Sequence, residues 1–356
     1  MAGSVIGNHF KITTWGESHG KALGVVVDGV PAGLPLCEED IQIFLDRRKP
    51  GQSKFTTARN EGDQVEILSG VFEGKTTGTP LSMMVRNADQ HSKDYSNIMD
   101  KYRPGHADYG FTKKYGIRDY RGGGRSSGRE TIGRVAAGAV ASKILNEMGI
   151  KLCAYTKSIG PVEITSFDKE EIGNNPLYMP DAKAAEKAKE YLEACIKEMD
   201  SSGGVVECVI SGVPAGIGEP VFDKMDARLA QAIMSIGAVK GFEVGDGFLA
   251  AHGLGSENND AFFMDGDEVK KSTNHAGGIL GGMTDGSDII FRAAFKPTPS
   301  IARLQHTVNE AGENVDIEIH GRHDPIIVPR AVVVVESMAA ICVLDELLMN
   351  MSSKLE

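Results

Sequence analysis

A chain of 356 residues is long enough to bury a substantial core, in one large domain or in two smaller ones. Its 38 basic and 49 acidic residues give a formal net charge of −11, which argues against a protein whose whole surface binds nucleic acid. No apolar stretch approaches membrane-spanning length, and no charged segment followed by an apolar run opens the chain. We therefore expect neither a nucleic acid nor a membrane as partner.

The five cysteines are scattered, and no two of them form a Cys-x-x-Cys pair. Such usage fits a reducing compartment, so a cytoplasmic location is predicted. Histidine spacing gives no metal signal, because the sequence has no His-Glu-x-x-His motif and because His320 and His323 lack a matching second pair. No metal ion is expected.

The first motif lies between two strand-like runs. Residues 9–15 alternate in polarity and residues 23–28 are rich in β-branched side chains, so both are predicted as strands. Between them, residues 16–20 read Gly-Glu-Ser-His-Gly. This matches the Gly-x-Ser-x-Gly elbow of serine hydrolases, but that elbow needs a helix after it, and here a second strand follows. His19 is therefore either a polar turn residue or a catalytic group of another kind.

Two further segments place charge or imidazole next to a turn. Residues 38–49 are predicted as a helix that ends in Arg47, Arg48 and Lys49. These basic residues either stabilise the C-terminal end of the helix dipole or bind a phosphorylated ligand. Residues 103–109 contain a Pro-Gly turn that leads to His106, a candidate general acid because imidazole exchanges protons near neutral pH.

Residues 118–134 carry five arginines and a run of three glycines in an otherwise acidic chain. Apolar residues recur at helical spacing in and beyond the second half of this stretch, which predicts a helix. Ser127 and Glu130 are expected to form its capping box, and Gly149 to end it. A glycine loop that enters a helix N-terminus among arginines favours a bound anion. The alternative is a glycine-rich turn followed by a solvated basic helix face.

The pentapeptide Gly-Val-Pro-Ala-Gly occurs at residues 29–33 and again at residues 212–216. Each copy follows an apolar strand-like run and precedes a helix-like segment, the second of them at residues 222–236. The chain is therefore predicted to contain two similar halves, roughly 1–170 and 200–350, related by a pseudo-twofold axis. A charged surface helix is expected between the halves.

The second half adds three loops that suit a large polar ligand. Glycine-rich loops lie at residues 237–247 and 274–282, and a Lys-Pro-Thr-Pro-Ser loop lies at residues 296–300. Glycines beside cations and hydroxyls let backbone approach a phosphorylated ligand closely. Residues 326–335 are rich in valine and are predicted as a strand, followed by a closing helix over residues 338–348.

Together, these motifs resemble those of the chorismate synthase family. The resemblance spans nearly the whole chain and rests on five segments, at residues 16–20, 102–108, 121–131, 274–282 and 321–325. The sequence departs from the family pattern without losing an expected catalytic group, at Lys54, Gly128, Ile326 and Val333. The resemblance implies one α+β domain over residues 1–356, a β-α-β sandwich with a helical layer between antiparallel sheets and an internal pseudo-twofold repeat. It also implies a homotetramer.

The resemblance implies a carbon–oxygen lyase of the shikimate pathway, in aromatic amino acid biosynthesis. The implied reaction is the anti-1,4-elimination of phosphate from 5-enolpyruvylshikimate 3-phosphate, giving chorismate. Reduced FMN is required without net redox change, and the source of reducing equivalents, NADPH among them, is left open. At the matching positions, His19 is implied to protonate the departing phosphate and His106 the reduced flavin. Asp324 is implied to act with the flavin in removing the C6 proton, with Ser18 and Ser127 as supporting hydroxyls.

By the same correspondence, two sets of residues are implied to bind ligands. The FMN set is Arg125, Ser126, Ser127, Gly237, Ala238, Gly281, Lys296, Pro297, Thr298, Pro299, Ser300 and Arg322. The substrate set is Arg47, Arg48, Lys54, Arg129 and Arg134. One rival interpretation is a non-catalytic flavin or nucleotide sensor, which does not need His19, His106 and Asp324 together. A Rossmann dehydrogenase is the other, but the glycine spacing of residues 122–128 does not match its fingerprint.

Overall fold

A computed structural model describes residues 3–53, 55–56, 62–87, 98–319 and 324–355. The strands in chain order are β1 (Val5–Ile6), β2 (Lys11–Gly16), β3 (Ala22–Asp28), β4 (Val65–Ser69), β5 (Val71–Phe72), β6 (Lys75–Thr76), β7 (Leu81–Arg86), β8 (Lys151–Ile159), β9 (Val162–Glu163), β10 (Gly204–Ser211), β11 (Val239–Val244), β12 (Phe262–Asp265), β13 (Glu268–Lys271), β14 (Ile279–Leu280), β15 (Met283–Thr284), β16 (Ile289–Phe295), β17 (Gln305–Val308) and β18 (Asn314–Ile317). The helices are α1 (Glu38–Arg48), α2 (Asp108–Tyr115), α3 (Thr131–Glu147), α4 (Glu171–Asn174), α5 (Ala182–Lys197), α6 (Met225–Met234), α7 (Gly255–Asn258) and α8 (Val328–Asn350).

Two five-stranded antiparallel sheets form the outer layers. The first has the order β1-β2-β3-β7-β4 and the second the order β11-β16-β10-β8-β9. Alternation of side chains along each strand turns one face of each sheet inward, as Leu23, Val25 and Val27 of β3 show by their near-complete burial. The apolar runs that predicted β2 and β3 are therefore confirmed as half-buried strands.

The helices α1, α3, α6 and α8 form the layer between the sheets. Helix α3 packs on β3 of the first sheet, α8 packs on β8 and β10 of the second, and the two helices pack on each other. Their contact is close because Gly138 of α3 has no side chain, and a Cβ there would overlap the Ser337 side chain and lie 2.5 Å from its Cα. The expected β-α-β sandwich is thus confirmed.

The strand predicted for residues 326–335 is wrong, because α8 begins at Val328 and continues to Asn350. Pro329 lies in its first turn, where a missing N–H costs no helical hydrogen bond. Nearly every residue from Val328 to Leu347 is buried, so the valines pack on all sides of a helix that is enclosed by neighbours. Burial in the middle layer outweighs the modest preference of β-branched residues for strands.

The other predicted helices are confirmed with shifted ends. Helix α1 ends one residue earlier than expected, and α6 covers the centre of the predicted segment 222–236. The charged helix between the halves is α5, whose first turn is capped by the Asp181 side chain. Among the described residues, no helix combines the length and apolar character needed to cross a membrane.

The two Gly-Val-Pro-Ala-Gly turns adopt the same structure in the two halves. Thr76 donates its hydroxyl to the Pro31 carbonyl at 2.6 Å, and Thr284 donates to the Pro214 carbonyl at the same distance. Around these turns, β2-β3-α1-β4-β7-α3 and β8-β10-α6-β11-β16-α8 follow each other in the same order. Both sheets also pair their four main strands in equivalent order. The internal repeat is therefore built into the fold, while its outer limits near residues 170 and 200 stay a prediction.

Candidate active site

A cavity of about 1080 Å³ opens where the first turns of α3 and α8 meet. Segments far apart in the sequence line it, including the turn before α2, the glycine loop before α3 and the loop after β16. Most of the residues that the sequence singled out lie on its wall, namely Arg48, His106, Arg125, Ser126, Ser127, Arg129, Arg134, Gly237, Ala238, Lys296, Thr298, Pro299, Ser300 and Asp324. The fold thus gathers both implied ligand sets around one space.

Two consecutive glycines separate the two candidate catalytic histidines. Gly122 has φ +66°, and a Cβ on it would lie 2.6 Å from Cε1 of His19. Gly123 has φ +83°, and a Cβ on it would lie 3.1 Å from Cε1 of His106. Only glycine combines this backbone with so close an approach. His106 lines the cavity, whereas His19 and Ser18, whose Oγ lies 3.2 Å from Nδ1 of His19, sit behind the lining residue Gly122.

A buried carboxylate holds two of the arginines that line the cavity. Asp63 contacts Nη2 of Arg48 at 2.5 Å and Nη1 of Arg129 at 3.2 Å. Burial, opposed by the charge of Asp63, lowers the pKa of Arg48 to about 10, and the nearby cations Arg330 and Arg129 add to this lowering. The pKa of Asp63 is itself lowered, because both guanidiniums outweigh the effect of its burial. These arginines therefore present more positive charge than their counter-ion balances.

The N-terminal end of α3 differs in one detail from the expected capping box. Ser127 Oγ accepts a hydrogen bond from the Arg129 backbone N–H at 3.3 Å and caps a short 3-10 turn that precedes the helix. The Glu130 carboxylate, which was expected to close the box, instead accepts from Nε of Arg134 at 2.9 Å. It does so because an arginine one turn later on the same helix face offers a charged donor. Glu130 thereby orients a cavity-lining arginine.

Arg125, in the glycine loop, also lines the cavity. Its Nη1 donates to the carbonyl of Gly16 at 3.2 Å, and its Nη2 donates to Oγ1 of Thr14 at 2.7 Å. The end of β2 therefore fixes the guanidinium in place, since a strand end supplies carbonyls in a defined direction. This contact joins the Gly-Glu-Ser-His-Gly segment to the arginine-rich loop.

Asp324 and Arg330 occupy the start of α8. Nη1 of Arg330 lies 2.6 Å from Oδ2 of Asp324, and its Nε donates to the Arg48 carbonyl at 3.0 Å. Thr298 donates its hydroxyl to the Asp324 carbonyl at 2.6 Å, which anchors the loop before the helix. Sequence reasoning missed Arg330 because the segment was interpreted as a strand. A valine-rich run preceded by Pro329 in a helical first turn was the available signal.

Lys296 and Lys240 place two ammonium groups on the cavity wall. Nζ of Lys296 donates to the Gly105 carbonyl at 2.9 Å, next to His106. Burial and the nearby charge of Lys240 lower the pKa of Lys296. Two lysines that repel each other at a partly desolvated position favour a shared anion, and Lys240 was not among the predicted residues.

Some predicted residues lie elsewhere. Arg47 makes a two-point contact with Glu336 of α8, at 2.8 and 3.0 Å, and does not line the cavity. Gly281 lies in the turn between β14 and β15, and Pro297 packs beside Gly203; neither is among the lining residues. Lys54 and Arg322, together with His323, lie outside the described residues. Their predicted roles stay predictions.

Comparison with known proteins matches the whole of this architecture. A family model described as chorismate synthase matches residues 10–348. The chain is 71% identical to a chorismate synthase of Agathobacter rectalis, over 100% of this chain and 98% of that protein. It is 56% identical to a chorismate synthase of Methanosarcina mazei, over 98% of this chain and 97% of that protein.

A solved structure agrees with the sequence relatives. A crystal structure of a chorismate synthase superposes with a TM-score of 0.79 at 34% identity, over 98% of this chain and 94% of that one. The family model, the sequence relatives and the fold therefore agree over almost every residue. The chain belongs to the chorismate synthase family of carbon–oxygen lyases.

Proposed function

We propose that this enzyme converts 5-enolpyruvylshikimate 3-phosphate to chorismate and inorganic phosphate in a reaction that requires reduced FMN. In this anti-1,4-elimination, the electron pair of the C6–H bond forms a new ring double bond. The existing double bond shifts, and the phosphate leaves with the electrons of its C–O bond. Substrate and product are at the same oxidation level, so the reaction consumes no reductant.

The proposal rests on the convergence of cations and proton-exchanging groups on one cavity. Arg48, Arg129, Arg134 and Arg330 all line it, and His106 and Asp324 line it as well. The substrate carries a phosphate and two carboxylates, and arginine forks match such groups well. We assign these four arginines to the substrate, which adds Arg330 to the set implied by the sequence.

The remaining wall fits a flavin phosphate and ring system. The partly desolvated Lys296, its neighbour Lys240 and the hydroxyls of Thr298 and Ser300 suit the phosphate group. Arg125 with Ser126 and Ser127, then Gly237, Ala238 and Pro299, would hold the rest of FMN, and Gly281, Pro297 and Arg322 stay proposed members of this set. Bound reduced FMN supplies the electron density that assists cleavage of the C–O bond.

The chain's own residues control the protons. His19, with Ser18 at its Nδ1, is proposed to protonate the departing phosphate, and His106 to hold or give the proton of the reduced flavin. Asp324, oriented by Arg330, is proposed to take part in removing the C6 proton. Ser127 supports the site by capping the turn that carries Arg129. Lys54 remains a proposed substrate contact, whereas Arg47 would reach the substrate only by leaving its partner Glu336.

We further propose that the chain acts as a single domain in a cytoplasmic homotetramer. Large apolar side chains are exposed together on the segment from 248 to 269, namely Phe248, Leu249, Leu254, Phe262, Phe263, Met264 and Val269. Exposed apolar surface of this extent is typical of a subunit contact. NADPH is proposed only as an outside source of electrons for the flavin.

The proposal is tested by an anaerobic assay of phosphate release from 5-enolpyruvylshikimate 3-phosphate. Wild-type protein is assayed with dithionite-reduced FMN and with oxidised FMN. The His106→Ala variant is assayed with dithionite-reduced FMN. We expect release only with reduced FMN, slowed roughly 100-fold or more in the variant, since a positioned acid–base group contributes about that much. Tight FMN binding without phosphate release would instead support the non-catalytic sensor.

A further inference from the structure

A buried carboxylate lies directly behind His106. Asp108, in the first turn of α2, accepts from Nε of Arg103 at 2.8 Å and from its Nη2 at 2.8 Å. The backbone N–H of Arg103 also donates to it, at 3.1 Å. Both side chains are almost completely buried, so this fork-to-carboxylate pair is rigid and shielded from water.

A second arginine closes the cluster from the other side. Nη1 of Arg118 lies 3.3 Å from Oδ2 of Asp108, and its Nη2 donates to the carbonyls of Ile98, Met99 and Lys101 at 2.8–3.0 Å. Although burial opposes ionisation, hydrogen bonds from Arg103 and His106 hold the pKa of Asp108 far below its usual range. Asp108 is therefore a fixed negative charge between two fixed positive ones.

The same carboxylate lies against one ring nitrogen of His106. Nδ1 of His106 lies 2.8 Å from Oδ1 of Asp108 and 3.1 Å from Nη2 of Arg103. Without a proton, Nδ1 would set a lone pair against an ionised oxygen at hydrogen-bond distance, which is repulsive. A proton on Nδ1 makes this close contact attractive instead, and Nη2 of Arg103 then donates to Oδ1 of Asp108, which it reaches at 2.8 Å. Nε2 is then the nitrogen near Gly123, on the glycine-loop side.

We propose that Asp108, held by Arg103 and Arg118, is a positioning residue that keeps neutral His106 in its Nδ1–H tautomer and presents Nε2 as the proton-exchanging atom. This inference rests on the proposed role of His106 in the elimination. Nη2 of Arg103 lies 3.1 Å from the imidazole, Arg118 reaches it through Asp108, and Lys296 reaches it through the Gly105 carbonyl. Because Nδ1 keeps its proton, Nε2 is the ring atom that takes up and gives back a proton.

The direct test is ¹⁵N NMR of histidine-labelled protein without ligands, with the His106 signals assigned by their loss in His106→Gln. We expect neutral His106 to show a protonated Nδ1 and an unprotonated Nε2. In Asp108→Asn, we expect the amide oxygen to take the position of Oδ2, where Arg103 and Arg118 lie. The amide N–H₂ then takes the position of Oδ1 and faces Nδ1 of His106. The tautomer should then shift to Nε2–H.

Activity provides the second readout, with Asp345→Asn as the matched control. Asp345 is an equally buried carboxylate that accepts backbone N–H groups and pairs with Arg228, and it does not line the cavity. Asp108→Asn should lower kcat roughly 10-fold or more at unchanged KM, because Asp108 does not touch the ligand. Asp345→Asn should lower stability while kcat stays near the wild-type value.

Two results would overturn the proposal. One is an Nε2–H tautomer of neutral His106 in the wild-type protein, which decides the matter even where Asp108→Asn does not fold. The other is a folded Asp108→Asn variant with unchanged His106 signals. Both measurements use protein without substrate or FMN, so failure of this proposal is distinct from failure of the proposed reaction, which only phosphate release reports.

Discussion

Helices α3 and α8 hold equivalent places in the two halves, yet they bring different chemistry to the cavity. The start of α3 is approached through glycines with positive φ and carries Arg129 and Arg134. The start of α8 is approached through Asp324 and carries Arg330, which is paired with it. The α3 start lines the cavity with two arginines and one carboxylate, Glu130, and is cationic overall, whereas the α8 start pairs one carboxylate with one arginine.

This difference indicates that two structurally equivalent helices have different roles in the site. At α3, arginines add to the N-terminal end of the helix dipole, an arrangement that stabilises bound anions. At α8, an arginine orients a carboxylate, an arrangement suited to accepting a proton. We infer that the anionic groups of the substrate lie nearer α3 and that proton removal occurs nearer α8.

The largest effect is expected from Gly122→Ala, a substitution in the glycine loop that leads into α3. The new Cβ would lie 2.6 Å from Cε1 of His19 and 2.8 Å from Oγ of Ser18, at φ +66°. The loop or His19 must move, so phosphate release should fall by roughly 100-fold or more, as for loss of a positioned catalytic group. Anaerobic phosphate release with reduced FMN measures this change.

Gly116→Ala is the matched control for that substitution. Gly116 has a similar φ of +75°, but a Cβ there meets no atom within 4 Å, and it does not line the cavity. It should lose only about 1 kcal/mol of stability from backbone strain and keep its activity. Equal loss of activity in both variants would show that strain, and not the contact with His19, explains the result.

The next effect concerns the contact between the two helices. In Gly138→Ala the new Cβ would overlap the Cβ of Ser337 and lie 2.5 Å from its Cα, so α3 and α8 must separate. Overpacking of this kind typically lowers the free energy of unfolding by about 1–3 kcal/mol. Urea unfolding followed by circular dichroism measures the loss.

The same substitution in an uncrowded helix provides the control. A Cβ on Gly110 of α2 would meet no atom within 4 Å, so Gly110→Ala should stabilise the protein by up to about 1 kcal/mol through helix propensity. A Gly138→Ala variant that is as stable as Gly110→Ala would contradict the close packing of α3 on α8.

The smallest effects are expected where the two halves are alike. Thr76→Val and Thr284→Val each remove a hydroxyl that donates to a proline carbonyl and accepts from a backbone N–H at 3.0 Å. Each should lower the unfolding free energy by about 1–2 kcal/mol, since a part-buried N–H of Leu34 or a buried N–H of Ile217 loses its partner. Thermal unfolding of the two variants checks this, and a loss in only one of them would contradict the equivalence of the turns.

Local signals were sufficient to predict much of this molecule from its sequence. Alternation identified β2, a β-branched run identified β3, helical spacing identified α1 and α3, and the repeated turn identified the two halves. The glycine loop was predicted as an anion site because it enters a helix N-terminus among arginines, and that role stays a prediction. These features depend on residues that are close in sequence.

The missed features depend on tertiary contacts. Arg330 was overlooked because only burial in the middle layer makes its valine-rich neighbourhood helical. Asp63 contacts Arg48, and Asp108 contacts Arg118. The partners in each pair are distant in sequence, so no spacing rule reveals the contact. Arg47 was grouped with Arg48, but successive helix residues point about 100° apart, so only Arg48 faces the cavity.

We infer that both helix starts serve one substrate site, a claim that calorimetric titration can test. 5-Enolpyruvylshikimate 3-phosphate is titrated into protein with oxidised FMN, so that no turnover is expected. Arg134→Ala and Arg330→Ala should each weaken binding about 10-fold or more, as for a lost charge-assisted hydrogen bond, while the exposed Arg303→Ala should not change it. Wild-type affinity in either helix variant would contradict the claim.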